Sequence, residues 1–183
     1  PSVCGRGDVI FADKLNHASL IDGMILSGAA FKRYPHKDAE TLRQWLKEAR
    51  NDRKRMIVTD SVFSMDGDLA TLEEIVRLAG EYQAWVMIDE AHAFGVLGEN
   101  GRGAAEHFGL EGQIDIQMGT LSKSAGVFGA YCCGSKSLIS FLINSCRSFI
   151  YTTALPPSIA AAALKAVEIM QTEPERRLKL WKW

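Results

Sequence analysis

The sequence predicts an α/β fold, a mainly parallel sheet flanked by helices, and three observations carry that expectation. Short apolar runs of strand length alternate with amphipathic stretches of helix length. The helical stretches run about 10 to 15 residues, long enough to cross over between parallel strands. Polar side chains capable of chemistry fall at the ends of the apolar runs, where open α/β sheets bind their ligands.

The elements follow in order. Residues 8–12 read as a strand, and the polar turn around His17 opens an apolar helix through Leu20, Ile21, Met24 and Ile25. Residues 29–34 form a second strand. Asp38 then stands as the N-cap of a helix whose Leu42, Trp45, Leu46 and Ala49 share one face. Residues 56–60 are an apolar strand running into a polar loop, 61–68. Thr71 and Glu74 have the spacing of a capping box, and Leu72, Ile75, Val76, Ala79 and Tyr82 form the stripe behind it. Residues 85–88 are a buried strand ending at Asp89, followed by a loop punctuated by Gly95, Gly98, Gly101 and Gly103. Strands are expected at 114–118 and 129–134, a helix through Leu138, Leu142, Cys146 and Phe149, and an alanine-rich helix over 158–170. Residues 174–183 read as an unfinished amphipathic helix, and the chain opens on Pro1. The 183 residues are therefore expected to be part of a larger domain.

Composition narrows the class. At 47% hydrophobic and 23% charged residues, the chain suits one globular core. Lys plus Arg is 21 and Asp plus Glu is 22, so the net charge of -1 argues against nucleic acid or an anionic membrane as partner. No apolar run reaches the length of a membrane span and no leader pattern opens the chain, which leads to a cytoplasmic expectation. Cys4, Cys132, Cys133 and Cys146 lack metal-ligand spacing, so no metal site is expected and reduced, mostly buried thiols are. Cys132 and Cys133 should point to opposite faces of a strand.

The chemistry centres on Lys123, in the Gly- and Ser-rich stretch 119–126 after an apolar strand. An amine presented there can form a Schiff base with a carbonyl compound. Asp89, at a buried strand end, would be costly unpaired and useful facing a protonated heteroaromatic nitrogen. His92 and Ser64 could hydrogen-bond a phenolic oxygen on the same ring, His17 could stack on its face, and Thr120 and Ser122 could hold a phosphate. Pyridoxal 5'-phosphate is the cofactor that wants all of these.

A second class competes, because residues 86–92 (VMIDEAH) also read as the acidic box of a nucleotide-driven helicase, with Asp89 on magnesium and Glu90 activating water. That reading needs a phosphate loop upstream. Lys123-Ser124 follows the acidic box, Ser122 replaces the glycine before the lysine, and Met118 stands where the first glycine belongs. A non-catalytic relative of the fold is the third class, and it would not turn yellow with pyridoxal phosphate.

Five runs, 15–19 (LNHAS), 62–68 (VFSMDGD), 88–92 (IDEAH), 119–123 (GTLSK) and 152–157 (TTALPP), resemble the α-oxoamine synthases. These are pyridoxal-phosphate enzymes of the aspartate-aminotransferase fold. The resemblance spans nearly the whole chain in order. It implies Lys123 as the Schiff-base lysine, Asp89 on the pyridine nitrogen, His92 and Ser64 on the ring hydroxyl, His17 on the ring face and Thr120 on the phosphate. It also implies a homodimer with shared sites, in which Thr152 or Thr153 reaches the neighbouring subunit's cofactor. The expected reaction is a decarboxylative condensation of an amino acid with an acyl-thioester. Residues 31–36 (FKRYPH), 126–130 (GVFGA) and 147–152 (RSFIYT) resemble the branch that joins alanine to a pimeloyl thioester; sister branches take glycine or serine. Ser124-Ala125 departs from the family pattern beside the lysine. The family's phosphate-gripping loop and its small C-terminal domain have no match in these residues.

Overall fold

A computed structural model describes residues 1–49 and 53–183. Its centre is a six-stranded sheet in the order β2-β1-β3-β4-β5-β6. The strands are β1 (Val9–Asp13), β2 (Ala30–Tyr34), β3 (Arg55–Asp60), β4 (Trp85–Asp89), β5 (Ile116–Thr120) and β6 (Ala130–Gly134). All neighbours run parallel except β6, which lies antiparallel on β5. The mainly parallel α/β expectation is met.

Every residue of β1 is buried, because both faces of the sheet are covered. Val9 and Phe11 point to one side with Ile57, Val86 and Ile88, under α2 (Ala39–Glu48) and α3 (Leu72–Tyr82). Ile10 and Ala12 point to the other with Met56 and Val58, against Leu20 and Met24 of α1 (Ala18–Ser27) and Leu138 of α5 (Lys136–Ser145). Asp38 caps α2 as expected, its carboxylate accepting from the Thr41 N–H at 3.0 Å and the Thr41 hydroxyl at 2.6 Å.

Several local expectations are corrected. Thr71 is the N-cap of α3 but makes no side-chain capping bond; Glu74 turns to Arg77 at 2.6 Å and Arg43 at 3.2 Å. A guanidinium pair offers a carboxylate charge-assisted bonds that a backbone N–H does not match. The strand expected at 114–118 is β5, displaced two residues onward, so Thr120 closes the strand instead of following it. The single helix expected through Phe149 breaks at Cys146 (φ -76, ψ 102), leaving α5 and a short α6 (Arg147–Ile150). Only Cys4 is a buried thiol: Cys132 and Cys133 are exposed on edge strand β6, and Cys146 is half-buried. Beyond these lie α4 (Ala104–His107), which follows the glycine-rich loop, then α7 (Pro157–Thr172) and α8 (Glu175–Leu180). No helix among the described residues is long and apolar enough to cross a membrane.

Candidate active site

In the strand order, β1 sits between β2 and β3, and this reversal opens a crevice at the strands' carboxyl ends. A pocket of about 250 Å³ lies there. It brings together His17, Ser64, Asp89, His92, Thr120, Ser122 and Lys123, seven of the nine residues given a cofactor role from sequence. Thr152 and Thr153 are exposed and do not line it. A larger cavity of about 840 Å³ opens at the other end of the strands, lined by Lys54, Trp85 and Phe141. It gathers none of these seven groups.

The pocket floor is made by strand ends. Asp89 closes β4 and lies in register with Asp60 on β3 and Met118 on β5. Its Oδ1 accepts the Ala91 N–H at 2.9 Å, and the other oxygen has no protein donor among the described residues. Burial raises the Asp89 pKa, against the Ala91 N–H and the charges of Lys123, His17 and His92. Asp60, also at a strand end, is pushed up to about 6 by burial; the His17 N–H opposes that shift and the Asp89 charge adds to it. Two adjacent buried carboxyls make this floor a site for a cation.

Around the floor stand the remaining groups. His17 ends the turn after β1 and caps α1, its Nδ1 accepting the Ser19 N–H at 3.2 Å, which leaves the neutral ring's proton on Nε2. His92 follows β4 in a turn; burial and the nearby Lys123 hold its pKa below the ordinary value. At pH 7 it is a neutral ring with one donor and one acceptor. Thr120 Oγ1 donates to the Gly129 carbonyl at 3.1 Å and lies 2.7 Å from Ser122 Oγ. Lys123 sits in the tight turn that follows, closed by the Gly126 N–H on the Lys123 carbonyl. Ser64 is exposed on loop 61–68, which is pinned where His36 Nε2 and Lys37 Nζ meet Asp68 at 3.0 and 2.9 Å.

Glu90 decides against the helicase reading. It is 1% exposed and accepts from Ser61 Oγ at 2.7 Å and from the Ala104 and Ala105 N–H groups at 3.0 and 3.1 Å. It caps α4 from inside the core and activates no water in the pocket. Gly103 permits this approach, since a Cβ there would stand 2.8 Å from the Glu90 carboxyl carbon. Ser124, the departure beside the lysine, packs where a Cβ on Gly95 would come within 2.8 Å of its Oγ. The loop after His92 therefore rests directly on the lysine turn.

Sequence reasoning passed over Asn16, Asp60 and His36. Asp60 had a readable signal: it ends an apolar strand before a polar loop, the same placement that singled out Asp89. His36 had none, because its partners Asp13 and Asp68 are far away in the chain.

The profile of the aminotransferase class I and II family matches residues 2–182. The chain belongs to that family. It is 52% identical over 180 residues to the 8-amino-7-oxononanoate synthase of Methylococcus capsulatus, covering 98% of this chain and 46% of that protein. It is 50% identical over 182 residues to the enzyme of the same name from Symbiobacterium thermophilum, covering 99% and 46%. Among solved structures, the serine palmitoyltransferase of S. paucimobilis with a bound PLP-myriocin aldimine superposes with a TM-score of 0.95 at 36% identity, over 99% of this chain and 46% of that one. The 8-amino-7-oxononanoate synthase of Francisella tularensis gives 0.82 at 36%, over 98% and 51%. These relatives are α-oxoamine synthases, the group that the five sequence runs resemble. The chain spans about half the length of the relatives it matches.

Proposed function

We propose that this chain is part of the large cofactor-binding domain of a pyridoxal-phosphate-dependent acyltransferase. Its reaction is the decarboxylative condensation of alanine with a pimeloyl thioester, on coenzyme A or a carrier protein, giving 8-amino-7-oxononanoate for biotin synthesis. One observation carries the reading: Lys123 stands at the mouth of a pocket floored by the buried Asp89 and Asp60. The names of the relatives supply the choice of substrates.

The residues fit the cofactor. A protonated pyridine nitrogen answers the Asp89 oxygen that has no protein donor, and it offsets two carboxyls that burial disfavours as anions. Neutral His92 and the Ser64 hydroxyl can share a ring oxygen, and Ser122 and Thr120 lie at the lysine turn where a phosphate would sit. Bound pyridoxal phosphate supplies an electron sink for a carbanion at the amino-acid α-carbon. With it in place, Asp89 would hold the proton at the ring nitrogen, His17 would cover the ring, and Lys123 Nζ would be the base for the α-proton. Coenzyme A or the carrier thiol leaves as the acyl group is transferred, and carbon dioxide follows.

The working form is a cytoplasmic homodimer, with Thr152 or Thr153 of one copy reaching the phosphate in the other. The exposed position of both threonines outside their own pocket supports this reading, as does the stiff Pro156-Pro157 pair that follows them. The near-neutral net charge supports small-molecule partners over nucleic acid or membrane.

The test is chemical labelling of the complete polypeptide that carries this chain. After incubation with pyridoxal phosphate and borohydride reduction, peptide mapping should place one pyridoxyl group on Lys123. Label on another lysine rejects the site.

A further inference from the structure

Three hydrogen bonds join the turn carrying His17 to the end of β3, across 42 to 44 residues of chain. Asn16 Nδ2 donates to the Val58 carbonyl at 2.8 Å, the Asp60 N–H donates to Asn16 Oδ1 at 3.1 Å, and the His17 N–H donates to Asp60 Oδ2 at 2.7 Å. Asn16 and Asp60 are 7% and 5% exposed, so water does not stand in readily for any of these partners. The pattern needs an amide at position 16: one donor and one acceptor, aimed at a carbonyl and an N–H on the same strand. An aspartate there would lack the donor, and an alanine would take one partner from each of two buried backbone groups.

His17 depends on this arrangement. Its ring is exposed and hydrogen-bonds only its near neighbour Ser19 among the described residues, so no distant side chain holds it by hydrogen bonds. Its backbone is held through Asp60, and Asp60 is held by Asn16.

We propose that Asn16 is a positioning residue which, together with Asp60, fixes the backbone of His17 at the pocket mouth and so sets where the imidazole stands over a bound heteroaromatic ring. The cofactor half of this inference rests on the function proposed above; the clamp itself does not. Asn16 touches no ligand on this account and acts only through His17.

Two measurements test it in the complete polypeptide. The first needs no cofactor. Amide hydrogen exchange should find the His17 N–H protected, and Asn16→Ala and Asp60→Ala should each speed its exchange at least about tenfold while leaving Met24 in α1 protected. Unchanged exchange at His17 in both variants overturns the clamp. The second is a double-mutant cycle on the Kd for pyridoxal phosphate, using Asn16→Ala, His17→Ala and the pair. If Asn16 works through His17, the pair should bind within about twofold of His17→Ala alone. Losses that multiply give Asn16 an independent role and overturn the proposal. Should Asn16→Ala fail to fold, Asn16→Leu replaces it in the cycle, since it removes the same two hydrogen bonds while filling the side chain's volume. A wild-type protein that binds no pyridoxal phosphate would refute the cofactor reading, and the exchange result would still decide the clamp.

Discussion

The stretch from β1 to β4 and the stretch from β6 to α8 contain similar apolar residues and bury them very differently. In the first, Phe11, Leu42, Leu46, Ile57, Leu78 and Ile88 are all 0% exposed. In the second, Leu138 at 8% is the one buried hydrophobic residue among those described, and α7 buries nothing. Tyr151 and Leu164 are 74% exposed and Trp183 is 92% exposed. Helix α8 is tied back to the glycine-rich loop by polar contacts, Trp181 Nε1 to the Val96 carbonyl at 3.0 Å and Arg177 to the Glu99 carbonyl. Apolar periodicity makes a helix amphipathic, but burial requires a second surface to meet it.

The largest effect expected from this contrast is complementation between copies, because the proposed dimer gives the exposed half its role. In the complete polypeptide, Lys123→Ala and a Thr152→Val/Thr153→Val double variant should each lose activity. Co-folded, their heterodimers should regain about one site in two, since one site carries both lesions and the other neither. Heterodimers that form and show no activity would place the lysine and the threonines in one copy's site.

The next effect is on stability. Leu46→Ala in the packed half should cost about 2–5 kcal/mol by urea denaturation, through lost transfer energy and the cavity left behind. Leu164→Ala, in the 183-residue chain, should stay within about 0.5 kcal/mol. Equal losses would show that the two halves are packed alike in solution.

The smallest effect separates apolar from polar fastening inside the packed half. Burial alone would lower the His36 pKa, but its hydrogen bonds to Asp13 and Asp68, both 3.0 Å long, more than reverse this, and the folded value is raised above 6.5. A raised value means that its stabilisation is fully present below the unfolded pKa and is lost as pH rises through the folded one. Asp68 runs the other way: burial raises it, Lys37 and His36 outweigh that, and its contribution is lost as pH falls through a lowered value. The stability difference between wild type and His36→Asn should therefore be larger at pH 5.5 than at pH 8.5. A difference independent of pH would mean that His36 acts by shape alone, through its edge-on contact with Phe63.

Much of this was legible in the chain because it depends on neighbours. The strands alternate or run apolar as local patterns, Asp38 caps the helix that begins beside it, and each of the seven pocket residues read from sequence lies within a few positions of a strand end. The misses lie where other contacts compete with the local pattern. Ile114 is apolar and buried in the cluster under α2 and α3, but the ladder with β4 begins only at Ile116, so the strand starts two residues later than hydrophobicity suggests. Glu74 has capping-box spacing, but Arg77, three residues on, takes it at 2.6 Å and Arg43, 31 residues away, at 3.2 Å.

The sequence by itself determined the class of fold, the order of the elements and the chemistry placed at the strand ends, because strand and helix periods and strand-end polarity are properties of short stretches. Only the tertiary structure decided which strand ends meet, that Asp60 lies beside Asp89, that Asn16 holds both Asp60 and Val58, and that Glu90 turns inward to α4. Those are contacts between residues separated by 14 to 44 positions, set by sheet order and register, which no local pattern encodes.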